Sequence, residues 1–166
     1  MTHAGAVSYP LPMLEIERKY LVKHLPIDLG SFPHLEIKQG YLAYGADGTS
    51  VRIRTKGKTC FLTIKGPGDL VRTEIEVVLS SEQFDTLWPG TQGARLEKTR
   101  YYLPLHAHTI ELDVYHGRLQ GLLIAEVEFT SQKEALGFIA PDWFGEDVSA
   151  DPRYKNHVLA RNGLPG

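Results

Sequence analysis

Leu14-Glu15-Ile16-Glu17-Arg18-Lys19-Tyr20 sets charged and apolar side chains in near-strict alternation. Successive side chains of an extended strand point to opposite faces. Glu15, Glu17 and Lys19 therefore share one face, and Leu14, Ile16 and Tyr20 the other. The habit recurs in Val51-Arg52-Ile53-Arg54, Thr73-Glu74-Ile75-Glu76, Glu97-Lys98-Thr99-Arg100, Ile110-Glu111-Leu112-Asp113 and Ala125-Glu126-Val127-Glu128. Residues i and i+2 of a strand stand roughly 7 Å apart, so most of these runs place like charges side by side. A solvated sheet face mixes Thr, Ser, Lys and Glu and does not require such pairs. Negative pairs attract a multivalent cation and positive pairs a polyanion. Both kinds on successive strands predict strands closed around one charged interior.

Working outward, alternation and β-branched content predict about eight strands, near 14–22, 36–44, 50–56, 59–65, 71–79, 95–103, 109–115 and 122–130. Gly45-Ala46-Asp47-Gly48, Gly57, Gly66-Pro67-Gly68-Asp69 and His116-Gly117 mark turns, and short connections favour an antiparallel meander. Helices are predicted from Ser80 to Trp88, from the Ser131–Glu134 capping box toward Phe138, and from Asp151-Pro152 through Arg161. The fold class is thus mainly β (α+β): a closed antiparallel eight-stranded barrel flanked by a few helices, one of them C-terminal. Its apolar face points outward, beneath the helices and Trp88, Phe138, Trp143 and Phe144. Desolvated ions cost several kcal/mol each, so the interior is predicted to be a wet tunnel.

The chain has 166 residues, 42% hydrophobic and 23% charged, and a formal net charge of −2. That balance gives no steering toward nucleic acid or an anionic membrane. No apolar run is long enough to span a bilayer. Cys60 is the only cysteine, which excludes an internal disulfide or a cysteine metal cluster and suits a cytoplasmic protein. Residues 1–12 read as a disordered leader, and residues 13–166 as one domain. The seven histidines form no metal-spaced set, and His106-x-His108 reads as loop.

With these motifs in hand, the chain resembles the CYTH superfamily, the triphosphate tunnel metalloenzymes, in their compact bacterial form. The resemblance rests on Glu15-x-Glu17-x-Lys19, Gln39-Gly40-Tyr41, Arg52-x-Arg54, Thr63-Ile64-Lys65, Glu74-x-Glu76, Glu97-Lys98-Thr99-Arg100-Tyr101, Glu111-Leu112-Asp113, Glu126-Val127-Glu128 and Asp151-Pro152-Arg153-Tyr154-Lys155-Asn156, in that order. It covers the chain from Leu14 onward. It implies a closed eight-stranded tunnel and metal-dependent chemistry on triphosphates. Family members include tripolyphosphatases, thiamine and RNA triphosphatases, and class IV adenylate cyclases.

Carried onto this sequence, the resemblance implies substrate contacts from Lys19, Arg52, Arg54, Lys65, Lys98 and Arg100, with Arg offering planar forks to phosphate oxygens. It implies metal ligation by Glu15, Glu17, Asp113, Glu126 and Glu128. Oxygen-only donors suit Mg²⁺ or Mn²⁺, two ions per site by analogy. Glu74, Glu76 and Glu111 join as outer ligands or as partners of the lumen cations. Lys19 and Tyr41 are the candidate catalytic pair, an ammonium facing a phenol that moves a proton. Arg72 and Lys56 share the inward parity but lie close to turns and are left out.

The leading substrate is inorganic tripolyphosphate, cleaved to pyrophosphate and phosphate, a small molecule with no nucleic-acid or membrane partner. Nucleoside or thiamine triphosphate hydrolysis and adenylate cyclisation stay open, with Tyr44, Tyr101 or Tyr102 as ring contacts. So does a non-catalytic polyphosphate-binding barrel. The C-terminal helix is a candidate cover for one mouth. The sequence leaves the oligomeric state undetermined.

Overall fold

The structure, a computed structural model, describes residues 13–25 and 28–166; the leader reading of residues 1–12 lies outside them. The strands are β1 (Met13–Val22), β2 (His34–Tyr44), β3 (Ser50–Lys56), β4 (Thr59–Lys65), β5 (Val71–Leu79), β6 (Arg95–Leu105), β7 (His108–Tyr115), β8 (Leu123–Glu128) and β9 (Phe144–Asp147). The helices are α1 (Ser81–Leu87), α2 (Gln132–Gly137) and α3 (Asn156–Asn162). Strand order is β5-β4-β3-β2-β6-β7-β8-β1, and a further β1–β5 pairing closes it into a barrel. Every pairing is antiparallel.

Burial follows the inverted pattern read from β1. Glu17, Lys19, Gln39, Arg52, Arg54, Thr63, Lys65, Lys98, Arg100, Asp113 and Glu126 are buried, whereas Leu14 is exposed. The outer apolar faces are covered in sections. Tyr20, Leu112, Ala125 and Val127 pack with Ala135 of α2 and Phe144 of β9. Phe84 of α1 lies on Ile53 and Cys60, with Leu62, Leu79 and Trp88 around it. Arg18, on the outer side of β1, ties these layers together by donating to Asp147 at 2.5 Å and to the Ala135 carbonyl at 3.0 Å.

The third cluster closes one end of the barrel. Tyr41, Leu96, Tyr115 and Ile124 have the inward parity, and they pack against Leu159 and Ala160 of α3. Leu159 is fully buried, a burial that contributes roughly 2–3 kcal/mol. Gly40 permits the neighbouring close approach: a Cβ there would meet the Thr91 side chain at 2.5 Å.

Two details differ from the sequence reading. The stretch from Asp151 is not one helix but a 3-10 turn (Pro152–Tyr154) followed by α3. Lys155 between them is extended, with φ −68° and ψ 133°, which interrupts the helix, and its side chain pairs with Asp69 at 2.6 Å. β9 is an additional short strand, paired with Tyr20 and Val22 of β1. Its Phe144-Gly145-Glu146-Asp147 sequence carries no alternation to reveal it. Among the described residues, no helix is long and apolar enough to cross a membrane.

Candidate functional site

Register explains how the strands deliver their charges. Directly opposed residues share a face, and the register opposes Glu17 to Glu128, Lys19 to Glu126, Glu15 to Arg72, Tyr41 to Arg52, Lys65 to Glu74 and Arg100 to Asp113. The resulting tunnel is lined by Glu15, Glu17, Lys19, Tyr41, Arg52, Arg54, Lys65, Arg100, Glu126 and Glu128 from the predicted set. Ser50, Lys56, Arg72, Glu74, Glu111, Lys155, Asn156 and His157 line it as well.

Most lumen cations are held by a carboxylate. Lys65 reaches Glu15 at 2.5 Å and Glu74 at 3.0 Å; Arg54 reaches Glu76 at 2.8 Å; Lys19 reaches Glu126 at 3.1 Å. Arg100 donates to Glu126 at 2.6 Å and also meets Glu111. Burial works against the Glu126 carboxylate, but Lys19, Arg100 and Lys98 together hold it well below the usual range. Burial likewise works against the Lys19 ammonium, and Glu126 and Glu17 more than restore its charge.

Two centres stand out from this network. The carboxylates of Glu15, Glu17 and Glu128 bring one oxygen each within 4.8 Å of one another. Glu128 stands exposed on one side at the rim, yet its carboxyl is pushed up to about 7 by partial desolvation and by Glu111, Glu15, Glu17 and Glu126. Crowded, oxygen-only acids of this kind fit a hard divalent cation. The second centre is Arg52, which is 6% exposed, joins no ion pair among the described residues and has a buried Nε without a hydrogen-bond partner. An unmatched buried guanidinium is a ready receptor for an anion with several oxygens.

Lys98 and Asp113, both read as lumen residues, share the inward face but are packed inside the barrel, off the cavity lining. Asp113 is fully buried and accepts from Lys98 at 2.5 Å and from Arg100 at 2.7 Å through each oxygen. Burial pulls the Lys98 ammonium down to about 8 against the field of Asp113. Tyr41 is buried, and its hydroxyl accepts from Gln39 at 2.8 Å. Its ring meets His157 edge-on at 6.0 Å.

Some lining residues were absent from the predicted set. Arg72 donates to Glu17 at 2.8 Å, and Lys56 faces the same cavity. Strand parity marks both. Lys155, Asn156 and His157 come from a coil and a helix start, where no periodicity signals them; Asn156 is fixed by the Tyr115 hydroxyl at 2.6 Å.

Comparison with known proteins agrees with this geometry. The CYTH domain family model matches residues 13–150. An inorganic triphosphatase of Nitrosomonas europaea is 46% identical over 149 residues, spanning 89% of this chain and 97% of that protein. An inorganic triphosphatase of Acetivibrio thermocellus is 33% identical over 153 residues, spanning 89% and 94%. A crystal structure of an inorganic triphosphatase superposes with a TM-score of 0.68 at 43% identity, covering 92% of this chain and 100% of the other. With a closed strand order, a charge-lined tunnel and a family match over most of its length, the chain belongs to the CYTH domain family.

Proposed function

We propose that this protein hydrolyses inorganic tripolyphosphate to pyrophosphate and phosphate with the help of divalent cations. The observation that carries the reading is one tunnel that holds both a crowded acidic triad, Glu15, Glu17 and Glu128, and a buried Arg52 that joins no ion pair among the described residues. A bare triphosphate with its cations supplies what both lack. The names of the relatives, which match over nearly their whole length, support the same substrate.

In this reading Glu15, Glu17 and Glu128 hold a Mg²⁺ or Mn²⁺ ion, and Glu126 borders it; two ions per tunnel is part of the proposal. Bound there, the ion supplies Lewis-acid charge to phosphate oxygens and makes water more acidic. Arg52, Arg54, Lys65 and Arg100 bind the phosphate chain along the tunnel, and Asp113 and Lys98 hold Arg100 in its orientation from the packed interior of the barrel. Lys19 neutralises charge at the reacting phosphoryl group, while Tyr41 offers a hydroxyl that can carry a proton at the leaving or attacking oxygen. Positioning and charge neutralisation account for most catalysis of phosphoryl transfer. The α3 stopper keeps the chain at one end and excludes bulk water there. A cytoplasmic site of action fits the single cysteine.

The test is phosphate release from tripolyphosphate, ATP, GTP and thiamine triphosphate, each with Mg²⁺, with Mn²⁺ or with chelator, and with cyclic AMP measured beside the ATP reaction. Metal-dependent turnover strongly favouring tripolyphosphate is expected. Binding without turnover would instead make the protein a polyphosphate-binding barrel.

A further inference from the structure

The stoppered end of the tunnel holds a titratable ring that the charge pairing leaves out. His157 of α3 faces the cavity beside Lys155 and Asn156, and it lies beyond the residues 13–150 that the family model matches. The ring is half-buried, stacked on Tyr44 at 5.9 Å and edge-on to Tyr41 at 6.0 Å. Arg161, one turn further along α3, stands over the Tyr44 ring at 4.1 Å. Packing of α3 on β2 thus fixes the imidazole plane. Lys155 is held by Asp69 and Asn156 by Tyr115, whereas among the described residues no side chain hydrogen-bonds the His157 ring.

The charges around it have one sign. Burial, then Lys155 before it, Arg72 of β5, Arg161 of α3 and Lys19 of β1 hold the imidazole below its ordinary 6.5. Tyr41 and Tyr44 are the titratable groups that face it from β2. Without an anion beside it the ring is therefore neutral near pH 7. A phosphoryl group at the stopper reverses the balance, because an opposite charge within about 4–6 Å favours the charged imidazolium. Asn156 accepts from the Tyr115 hydroxyl through its oxygen at 2.6 Å, which leaves its amide nitrogen as a donor at the same end.

We propose that His157 is a proton-coupled end stop for the phosphate chain: as the terminal phosphoryl group of a triphosphate reaches the stopper, the ring takes one proton from solvent and donates an N–H to a phosphoryl oxygen. The proposal rests on the reading of the tunnel as a triphosphate site. No bond of the phosphate chain is made or broken in this step. Affinity is thereby tied to pH. It is highest where the ring is charged with and without the chain, and it falls as the pH rises through the value the ring has beside the bound chain.

Calorimetric titration in buffers of different protonation enthalpy counts the protons taken up on binding. The probe is tripolyphosphate with both bridging oxygens replaced by methylene groups, which cannot be hydrolysed, added at pH 7 to protein saturated with Mg²⁺. Native protein is expected to take up about half a proton more per bound chain than His157→Asn or His157→Gln. Both variants fill the space beside Tyr41 and Tyr44 without titrating, and the comparison cancels proton changes of the probe and of the tunnel acids. Between pH 6 and 8 the native Kd is expected to rise about three- to tenfold more than that of the variants. NMR titration of the His157 ring in the native protein gives a second reading, with its pKa expected to rise when the probe is bound. Equal proton uptake by native protein and variants would overturn the end stop and leave the triphosphate tunnel standing, and so would a ring pKa unmoved by the probe. Failure of the probe to bind native protein would overturn the tunnel reading and the end stop together.

Discussion

Arg100 and Asp113 meet side on, Nε to Oδ1 and Nη2 to Oδ2, both at 2.7 Å, with the carboxylate sealed from solvent. The pair fixes the guanidinium plane from the packed interior of the barrel, so that its remaining donors face Glu111 and Glu126. Asp113→Asn would leave Arg100 and Lys98 without their shared counter-charge. Breaking a buried pair from one side costs about 3–5 kcal/mol. Denaturant unfolding without metal should show that loss, whereas a residue acting only as a metal ligand would leave metal-free stability unchanged.

Arg52→Ala should act chiefly on substrate. No ion pair is lost among the described residues. Burial opposes the guanidinium charge, but Tyr41, Glu74 and Glu15 outweigh it, so metal-free stability should fall, though by less than for Asp113→Asn. The KM for tripolyphosphate should rise about 10- to 100-fold, the worth of charge-assisted hydrogen bonds to phosphate, with a smaller change in kcat. An unchanged KM would remove Arg52 from substrate contact.

Glu128→Gln relieves the crowding among the tunnel acids. Thermal unfolding without metal should shift upward by up to about 2 °C, a small value because the group is screened at the rim. Added Mn²⁺ should raise the melting temperature of the native protein and have little effect on the variant. Equal metal stabilisation of both would place the ion elsewhere.

Asp147 gives the acid-side prediction. Partial burial opposes its charge, but the Ser149 hydroxyl and amide and then Arg18 outweigh this and hold its carboxyl below the ordinary 3.8. Its contribution is complete above that ordinary value and is lost as the pH falls through the lowered folded value. Asp147→Asn should therefore cost about 0.5–1 kcal/mol at pH 7, allowing for solvent screening. The gap from native should begin to narrow as the pH is taken below 3.8 and should close as it passes through the lowered folded value. Melting curves across that range measure it, and a gap unaffected by pH would exclude the Arg18–Asp147 ion pair as its origin.

Much of the barrel is written in strand parity. Glu15, Glu17 and Lys19 face inward because their neighbours must face out, and the same rule reaches Arg72 and Lys56 even beside their turns. Parity assigns a face but not a depth. Asp113 shares its face with Glu111, yet it is fully packed inside the barrel while Glu111 borders the cavity; only the register of β7 against β6 and β8 decides this. The stopper is less legible still. Asn156 and His157 reach the tunnel from the start of α3, where Tyr115 holds Asn156 and Lys155 pairs with Asp69, long-range contacts that no local pattern records. β9 follows the same logic, since Phe144 is recruited by Tyr20 from the far end of the chain.

The order of the strands has a consequence for biosynthesis. Of the strands, β1 leaves the ribosome first, but its partners are β5, β8 and β9, and Glu17 does not meet Glu128 until nearly the whole barrel has been translated. Long-range pairings of this sort slow folding, and a nascent strand waiting for its neighbours is open to mispairing. The charged side chains of β1 then act as a safeguard during synthesis: they keep the unpaired strand solvated until the closing strand arrives.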